Sequence, residues 1–271
     1  MVRPATCPGA GSTALITGAS HGIGLELAKL FARDGWDLVM VARSRVRLKH
    51  LARSLQAAHG IHCYTLPLDL TDAGSPGRLF RALKAEGITV DALVNNAGFG
   101  SFGEFVSTPA ETTLEMIQVN VTALAHLTRL FLPRMIERGR GRILNVASVA
   151  AFQPGPLMAC YYATKAFVLS LSEALAEETR GTGVKVTALC PGPTRTQFGV
   201  RAGMRTSRMF SGHMLRSMDA RTVARAGYRA MLKGRAISIP GLENRVLPFA
   251  VRITPRALVR KAVRALQERR R

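Results

Sequence analysis

A tyrosine and a lysine four residues apart are the clearest candidates for chemistry in this 271-residue chain. Tyr161 and Lys165 are spaced i, i+4, so a helix would place them on one face. A free tyrosine has a pKa of about 10, which a nearby ammonium lowers. The pair therefore predicts an acid/base that exchanges a proton with a carbonyl or an alcohol. Such spacing also occurs in ordinary surface pairs, and Tyr162 competes for the role at a spacing of three.

A glycine-rich turn follows the first apolar run and is a candidate phosphate cradle. Gly18, Gly22 and Gly24 come directly after the predicted strand 14–17 and open a predicted helix over 23–34. Glycines allow a tight turn and close backbone approach, and the helix start directs unpaired N–H groups at a pyrophosphate. The same residues fit G-x-S-x-G, so a hydrolase with Ser20 as its nucleophile is an alternative. No downstream Asp–His pair stands out at the strand ends to support that alternative.

The elements that must position these residues alternate between short apolar runs and amphipathic stretches of helical length. This alternation predicts an α/β fold, a single Rossmann-type doubly wound parallel sheet of about seven strands with helices on both faces. Long helices are expected over 112–138 and 161–179. The strands are expected at 14–17, 38–41, 61–66, 92–94, 142–146, 185–189 and 236–239. In such sheets ligands bind at the carboxyl ends of the strands.

The residue that follows the second strand bears on cofactor choice. A cofactor with a free ribose 2′-hydroxyl needs an acidic residue there, and the segment Val41-Ala42-Arg43-Ser44 has none. The guanidinium of Arg43 suits a 2′-phosphate instead. The sequence therefore favours NADP(H), with NAD(H) as an alternative, although Arg43 also belongs to a run of solvated basic residues.

Together these motifs resemble the short-chain dehydrogenase/reductase family over about residues 14–239. The resemblance rests on TGASHGIG at 17–24, Asp69, NNAG at 95–98, Asn120, Ser148, Tyr161, Lys165 and Pro191-Gly192. It implies hydride transfer between a nicotinamide and a carbonyl or alcohol, with Asn120, Ser148, Tyr161 and Lys165 as the catalytic set. The cofactor contacts that the motifs imply are Gly18, Ser20, His21, Gly22, Ile23, Gly24, Arg43, Asp69, Leu70, Asn95, Ala97, Gly98, Tyr161, Lys165, Pro191, Gly192 and Thr194.

The resemblance does not identify the substrate, but the residue composition of one segment indicates its chemical class. A lid is expected over about 194–218, a segment rich in methionine and phenylalanine, which favours an apolar or lipid-like ketone or aldehyde. These side chains could equally be ordinary core. A nucleotide-binding sensor without turnover is a further alternative. A homodimer or homotetramer is expected, as is a cytoplasmic location.

Charge separates the carboxyl-terminal part of the chain from the rest. The net charge is +21, and residues 201–271 hold 18 basic and 3 acidic residues. We expect a flexible amino terminus over 1–12, a catalytic domain over 13–241 and a basic helical extension over 242–271. Leu258, Val259, Ala262 and Leu266 would share one face of that extension, which would pack on the enzyme or contact a membrane surface. No nucleic-acid motif, metal-ligand spacing, secretory leader or membrane span is expected.

Overall fold

A parallel sheet of seven strands organises the chain, as the alternation predicts. The computed structural model describes residues 8–203 and 217–268. The strands of the sheet are β1 (Thr13–Thr17), β2 (Asp37–Ala42), β3 (Cys63–Pro67), β4 (Ala92–Asn95), β5 (Gly141–Val146), β6 (Val184–Leu189) and β9 (Ile237–Ser238). Their order is β3-β2-β1-β4-β5-β6-β9, and all paired strands run parallel. A separate pair, β7 (Thr194–Arg195) and β8 (Met218–Asp219), was not expected from the sequence.

Strand order reverses between β1 and β4, and this reversal opens a crevice at their carboxyl ends. From β1 the chain moves outward to β2 and β3, then crosses back to place β4 on the other side of β1. Ile16 pairs with Met40 on one side and Val94 on the other. Connections leave in opposite directions at this point, so the crevice between them is where such sheets bind ligands.

Helices cover both faces of the sheet and bury two aliphatic cores. They are α1 (Gly22–Arg33), α2 (Arg45–His59), α3 (Ser75–Ala85), α4 (Ala110–Ile117), α5 (Leu124–Glu137), α6 (Ala159–Glu178), α7 (Phe198–Arg201), α8 (Ala220–Leu232), α9 (Leu242–Ile253) and α10 (Arg256–Gln267). On one face of the sheet, Leu27 and Phe31 of α1 meet Tyr228 of α8. On the other face, Leu79 of α3 packs with Phe131 of α5. The four-residue spacing of Leu27 and Phe31 is the apolar periodicity by which a helix buries one face.

The long helix expected over 112–138 is interrupted by a wider turn. A π-helical segment, Gln118–Ala123, joins α4 to α5. Such a bulge inserts one extra residue into a turn and redirects the side chains near it. Here the redirected side chain is that of Asn120, which is buried and paired with the backbone of Phe99. The sequence pattern carries no signal for this bulge because apolar spacing continues through it.

The carboxyl-terminal extension consists of two helices, α9 and α10, and part of it packs on the enzyme. Val259, Val263 and Gln267 of α10 are buried, whereas Leu258 and Ala262 are exposed. The buried face of α10 is thus rotated around the helix axis relative to the expected apolar face. The body of the protein contacts Val259, Val263 and Gln267, which are spaced four residues apart.

The amino-terminal segment expected to be flexible is described from residue 8 onward, and residues 1–7 lie outside the described residues. Gly9 donates its N–H to the carbonyl of Asp34 at 3.0 Å and packs against the ring of Trp36. The N–H of Ser12 in turn bonds the carbonyl of Gly9 at 2.9 Å. Residues 9–12 therefore form a turn that leads into β1.

Crossing a bilayer requires a long apolar helix, and none is found within residues 8–203 and 217–268. The same residues contain no cluster of three histidine, cysteine or acidic side chains that could hold a metal ion.

Candidate active site

The glycine turn lies at the mouth of the crevice and has the backbone conformation that the sequence predicts. Gly18 and Gly22 take φ values of +67° and +52°, which side-chain-bearing residues rarely adopt. A Cβ on Gly24 would lie 2.4 Å from the carbonyl oxygen of Gly18. The first turn of α1 can therefore lie this close to the end of β1 because residue 24 has no side chain. The start of α1 consequently directs its N–H groups into the crevice. Ser20 and His21 line it, with Ser20 Oγ 2.7 Å from His21 Nδ1.

Two residues of the quoted motifs, for which no contact was predicted, hold this turn against the end of β4. The Thr17 hydroxyl is buried, donates to the carbonyl of Val94 and accepts the N–H groups of Asn96 and Ala97 at 3.0 Å each. The Asn96 side chain donates to the carbonyls of Thr17 (2.9 Å) and Gly18 (3.3 Å). These bonds fix the position of one strand end relative to the next. The joint presence of the TG and NNAG motifs was the only sequence signal for this pairing.

Asn95, expected at the cofactor, lies behind the surface of the crevice. Its side chain is 3% exposed and donates to Thr128 Oγ1 at 3.1 Å and Asn145 Oδ1 at 2.9 Å. Asn145 continues the chain of bonds to Ser172 Oγ at 2.9 Å. The structure therefore gives Asn95 the role of tying β4 to β5 and α5, and the amide that lines the crevice belongs to Asn96.

Basic and acidic side chains meet at the end of β2. The Arg43 guanidinium lies 4.0 Å from the Asp69 carboxylate, and the arginine side chain is 68% exposed. Asp69 and Leu70 also line the crevice, and the carbonyl of Asp69 accepts a bond from Ser75. This end of the crevice therefore offers an exposed cation beside an acidic side chain.

Tyr161, Lys165 and Ser148 come together where β5 and β6 end. Lys165 on α6 donates to the carbonyl of Val146 at 2.8 Å, and its Nζ lies 5.8 Å from the centre of the Tyr161 ring. Ser148 follows β5, and its Oγ lies 3.5 Å from the carbonyl of Pro191. The i, i+4 spacing puts the tyrosine and lysine on one helix face, as predicted, and the sheet brings the serine to them.

Burial dominates the proton affinities of these groups. Desolvation raises the pKa of Tyr161 above its ordinary value, and a hydrogen bond with Ser148 opposes that rise. Desolvation lowers the pKa of Lys165 to about 8. The expectation that the ammonium lowers the tyrosine pKa is therefore not met here, because burial raises that pKa and Lys165 donates to the carbonyl of Val146 instead. The phenol consequently holds its proton at neutral pH.

The π-helical bulge brings Asn120 to the same point. Its amide bonds both backbone groups of Phe99, at 3.1 and 2.9 Å, and donates to Thr164 Oγ1 at 3.1 Å. A Cβ on Gly98 would lie 2.9 Å from Asn120 Oδ1 and 3.4 Å from Lys165 Nζ. The glycine of the NNAG motif thus leaves room for the amide and the amine to approach each other.

One continuous cleft of about 950 Å³ joins the glycine turn to Ser148, Tyr161 and Lys165, whereas the buried Asn120 lies behind its surface. Of the predicted cofactor contacts, all but Gly24 and Asn95 line it. Its far end is apolar and includes Met158, Phe198 and Val263, which pack in one cluster, together with Leu266. Phe198 packs on the Tyr161 ring with ring centres 5.2 Å apart. Most of the expected lid, residues 204–216, lies outside the described residues.

The carboxyl-terminal helix supplies a polar group to this apolar end. Gln267 is fully buried, lines the cleft and donates from Nε2 to the Tyr162 hydroxyl at 2.8 Å. Its Oε1 is buried and accepts no hydrogen bond from the described residues. The hydroxyl of Tyr162 is thus occupied by α10, which leaves Tyr161 as the phenol beside Ser148. Gln267 was not predicted as a site residue, because nothing near it in the chain marks it as one.

Comparison with known proteins identifies the family. The short chain dehydrogenase family matches residues 12–205 of this chain. The chain belongs to the short-chain dehydrogenase family. A short chain dehydrogenase from Pseudocercospora fijiensis is 38% identical over 191 residues, which are 70% of this chain and 62% of that protein. This chain therefore spans less than two thirds of that relative's length.

Solved members of the family extend the likeness over almost the whole chain. A short-chain dehydrogenase from Sphingobium yanoikuyae in complex with NADPH is 36% identical with a TM-score of 0.81, covering 92% of this chain and 95% of that one. The bulky-bulky ketone specific alcohol dehydrogenase from Comamonas testosteroni is 31% identical with a TM-score of 0.74, covering 91% and 96%. The match is to dehydrogenases, so the hydrolase alternative built on Ser20 is without support.

Proposed function

We propose that this short-chain dehydrogenase transfers hydride between NADP(H) and a carbonyl or secondary alcohol on an apolar substrate. The observation that carries the proposal is a single cleft that begins at a glycine cradle and ends at a half-buried Tyr161 beside Ser148 and Lys165. These three side chains would border the nicotinamide of a dinucleotide bound at the cradle, where it would supply hydride chemistry. The apolar end of the cleft then remains for the substrate.

The residues present fit a nicotinamide dinucleotide. Gly18 and Gly22 form a cradle that side chains would fill, and the start of α1 complements a pyrophosphate. At the adenosine end, Arg43 has the exposure and charge to bind a 2′-phosphate, and Asp69 and Leu70 line the same region. When bound, the cofactor supplies or accepts the hydride.

The side chains of the protein handle the proton and the orientation. Ser148 lies beside the phenol and holds the substrate oxygen by hydrogen bonding, so that the oxygen faces Tyr161. Tyr161 keeps its proton at neutral pH, which is the state needed to protonate a carbonyl oxygen as it gains negative charge. Lys165 anchors to the end of β5 and faces the ring of Tyr161, so its remaining N–H groups would be available to a ribose hydroxyl of the bound cofactor. Asn120 braces the backbone at Phe99 and fixes the space beside Lys165.

An apolar substrate is supported by the far wall of the cleft. Met158, Phe198 and Val263 present hydrocarbon there, and unsatisfied polar groups of a sugar would be costly to bury against them. The Comamonas testosteroni neighbour is specific for bulky ketones, which agrees with a roomy apolar end. The buried acceptor Gln267 Oε1 would favour a substrate with one donor group away from its carbonyl.

Replacement of Tyr161 by phenylalanine tests the proposed acid. Tyr161→Phe should lower the turnover of NADPH with a panel of apolar ketones by ~10²–10⁴-fold, while the dissociation constant for NADPH stays within about twofold. Tyr64→Phe, which removes a phenol from β3 outside the cleft, is the matched control and should keep full turnover. If Tyr162→Phe abolishes turnover and Tyr161→Phe does not, the assignment is wrong. Wild-type protein that binds NADPH but turns over no ketone or alcohol would favour the sensor.

A charge reversal at the end of β2 tests cofactor choice. Arg43→Asp should weaken NADPH binding by at least about tenfold and leave NADH binding unchanged or stronger, measured by cofactor fluorescence. Arg45→Asp is the matched control, since Arg45 is exposed nearby but does not line the cleft. Equal loss of both cofactors in Arg43→Asp would contradict the phosphate role.

We further propose that the enzyme assembles as a homodimer or homotetramer and works in the cytoplasm. The exposed apolar side chains Leu114 and Ile117 on α4 are available for such an assembly. Sedimentation equilibrium of the full chain would give the subunit number directly, and a monomer at micromolar concentration would refute the assembly.

A further inference from the structure

Helix α9 presents apolar side chains to solvent as well as to the body of the protein. Leu242, Val246, Phe249 and Ile253 are exposed by 78%, 63%, 70% and 86%. Their spacing of i, i+4, i+7 and i+11 places all four on one stripe, since successive residues turn by about 100° around the axis. We call these four residues the α9 stripe. Four large hydrophobic residues so exposed on one helix face mark a surface that has a partner.

The opposite side of α9 packs against the body of the enzyme and lines the cleft. Val251 packs into the core cluster of the substrate end, and Asn244 and Leu247 line the cleft. By the same 100° step these residues lie about half a turn from the α9 stripe. The stripe is therefore not a misplaced core face, because the helix has one side for the enzyme and a second apolar side for something else.

Basic side chains stand beside the stripe and identify the chemistry of that partner. Arg245 and Arg252 are exposed and lie on one flank of it, about 60–80° around the helix from Leu242. Arg245 uses its Nε to bond the carbonyl of Ile239 at 3.1 Å. The acidic residue of α9, Glu243, lies on the opposite flank, about 100° from Leu242.

The helix that follows α9 adds to the positive charge of this surface. The exposed basic residues of α10 are Arg256, Arg260, Lys261 and Arg264. Of these, Arg264 is paired with Glu268 at 3.3 Å. An apolar stripe flanked by arginine is the pattern that lies in the interface of an anionic bilayer.

A second copy of the chain fits this surface less well. The α9 stripe is about 18 Å long and one side chain wide, far less than the ~800 Å² per partner that a stable interface buries. Apposing two such helices would also bring the arginines of both copies together. A bilayer with anionic headgroups satisfies both the hydrocarbon and the charge.

We propose that α9 docks the enzyme on an anionic lipid surface, with the α9 stripe inserted and Arg245 and Arg252 at the headgroups. The cleft lies directly behind this surface, because the opposite face of α9 lines it through Asn244 and Leu247. Docking in this way holds the cleft at the membrane surface. The inference stands on the surface of α9 and its neighbour α10 and is independent of the hydride-transfer proposal.

Cosedimentation of the full chain with vesicles tests the docking. Wild-type protein should sediment with vesicles of equal parts phosphatidylcholine and phosphatidylglycerol, far less with phosphatidylcholine alone, and less as salt rises. Leu242→Gln combined with Phe249→Gln should weaken binding at least about tenfold, and Arg245→Gln combined with Arg252→Gln should weaken it on anionic vesicles. The matched control is Phe105→Gln combined with Val106→Gln, which changes two exposed apolar residues elsewhere and should leave binding unchanged.

A second measurement keeps the test independent of folding defects in the glutamine variant. Phe249→Trp retains an aromatic side chain, and the one native tryptophan, Trp36, is buried. The fluorescence of the introduced indole should shift to the blue and be quenched by brominated lipid when anionic vesicles are added.

Three results would overturn the proposal: no sedimentation of wild-type protein, equal binding by the stripe variant, or no blue shift in Phe249→Trp. Self-association that the stripe variant abolishes, without vesicle binding, would assign the stripe to a second copy instead.

Discussion

Removal of one buried hydroxyl should loosen the cradle without touching a predicted contact residue. Thr17→Val keeps the shape of the side chain but removes the Oγ1 that accepts the N–H groups of Asn96 and Ala97. The Asn96 N–H retains the carbonyl of Val94 at 3.1 Å, whereas the structure shows no other acceptor for the Ala97 N–H among the described residues. Ala97 is half-buried, and an N–H left there without a protein acceptor costs ~1–3 kcal/mol.

The expected loss in the free energy of unfolding is therefore about 2 kcal/mol for Thr17→Val. Thr187→Val is the matched control: its hydroxyl is buried but only donates, to the carbonyl of Arg235 at 2.7 Å. That carbonyl belongs to an exposed residue and can bond water, so the control should lose less than about 1 kcal/mol. Urea unfolding of both variants measures the difference.

Cofactor binding separates the two variants further. The Thr17 bonds set the distance between the glycine turn and the segment 96–98, both of which line the cleft. Thr17→Val should consequently weaken NADPH binding by roughly tenfold, about 1.4 kcal/mol, whereas Thr187→Val should not change it. Equal stability losses in the two variants, or unchanged NADPH affinity in Thr17→Val, would refute the reasoning.

Two further predictions concern buried groups of the site. Folding lowers the pKa of Lys165 from 10.5 to about 8, so between these pH values the unfolded chain binds more protons than the folded one. Burial of Lys165 therefore lowers the free energy of unfolding by its full amount below about pH 8. This loss becomes smaller as the pH rises toward 10.5. In urea unfolding, the stability of wild-type protein relative to Lys165→Met should therefore rise by ~2–3 kcal/mol between about pH 7 and pH 10, and a constant difference would contradict the shift. Val263→Ala should lower the free energy of unfolding by ~1–3 kcal/mol and should also lower kcat/KM for apolar ketones, because Val263 lines the cleft. Val184→Ala is the control, since Val184 is buried in β6 away from the cleft. It should lose a similar free energy of unfolding and leave kcat/KM unchanged.

Local patterns determined the parts of the site that lie close together in the chain. The spacing of Tyr161 and Lys165 on one helix face follows from 3.6 residues per turn, and the glycines after β1 follow from the conformations that a tight turn requires. The number of strands in the main sheet and their parallel pairing also follow, since alternating apolar runs and helices leave few topologies. The conformations of these features depend on interactions between residues that lie close together in the chain.

Tertiary contacts decided the rest. The buried position of Asn95 depends on Thr128 and Asn145, which lie 33 and 50 residues away in the chain. The π-helical bulge at Asn120 depends on the backbone of Phe99, and apolar periodicity passes through it unchanged.

The substrate end of the cleft is also formed by residues that lie far apart in the chain. Gln267 meets the Tyr162 hydroxyl across 105 residues of sequence, and the buried face of α10 is the one that meets Met158 and Tyr162 rather than the one that its composition suggested. The sequence by itself determined the placement of Tyr161 beside Lys165 and the glycine turn, because both follow from local geometry. Which side chains close the cleft was decided only by packing between distant segments, because no periodic pattern encodes what a helix face will meet.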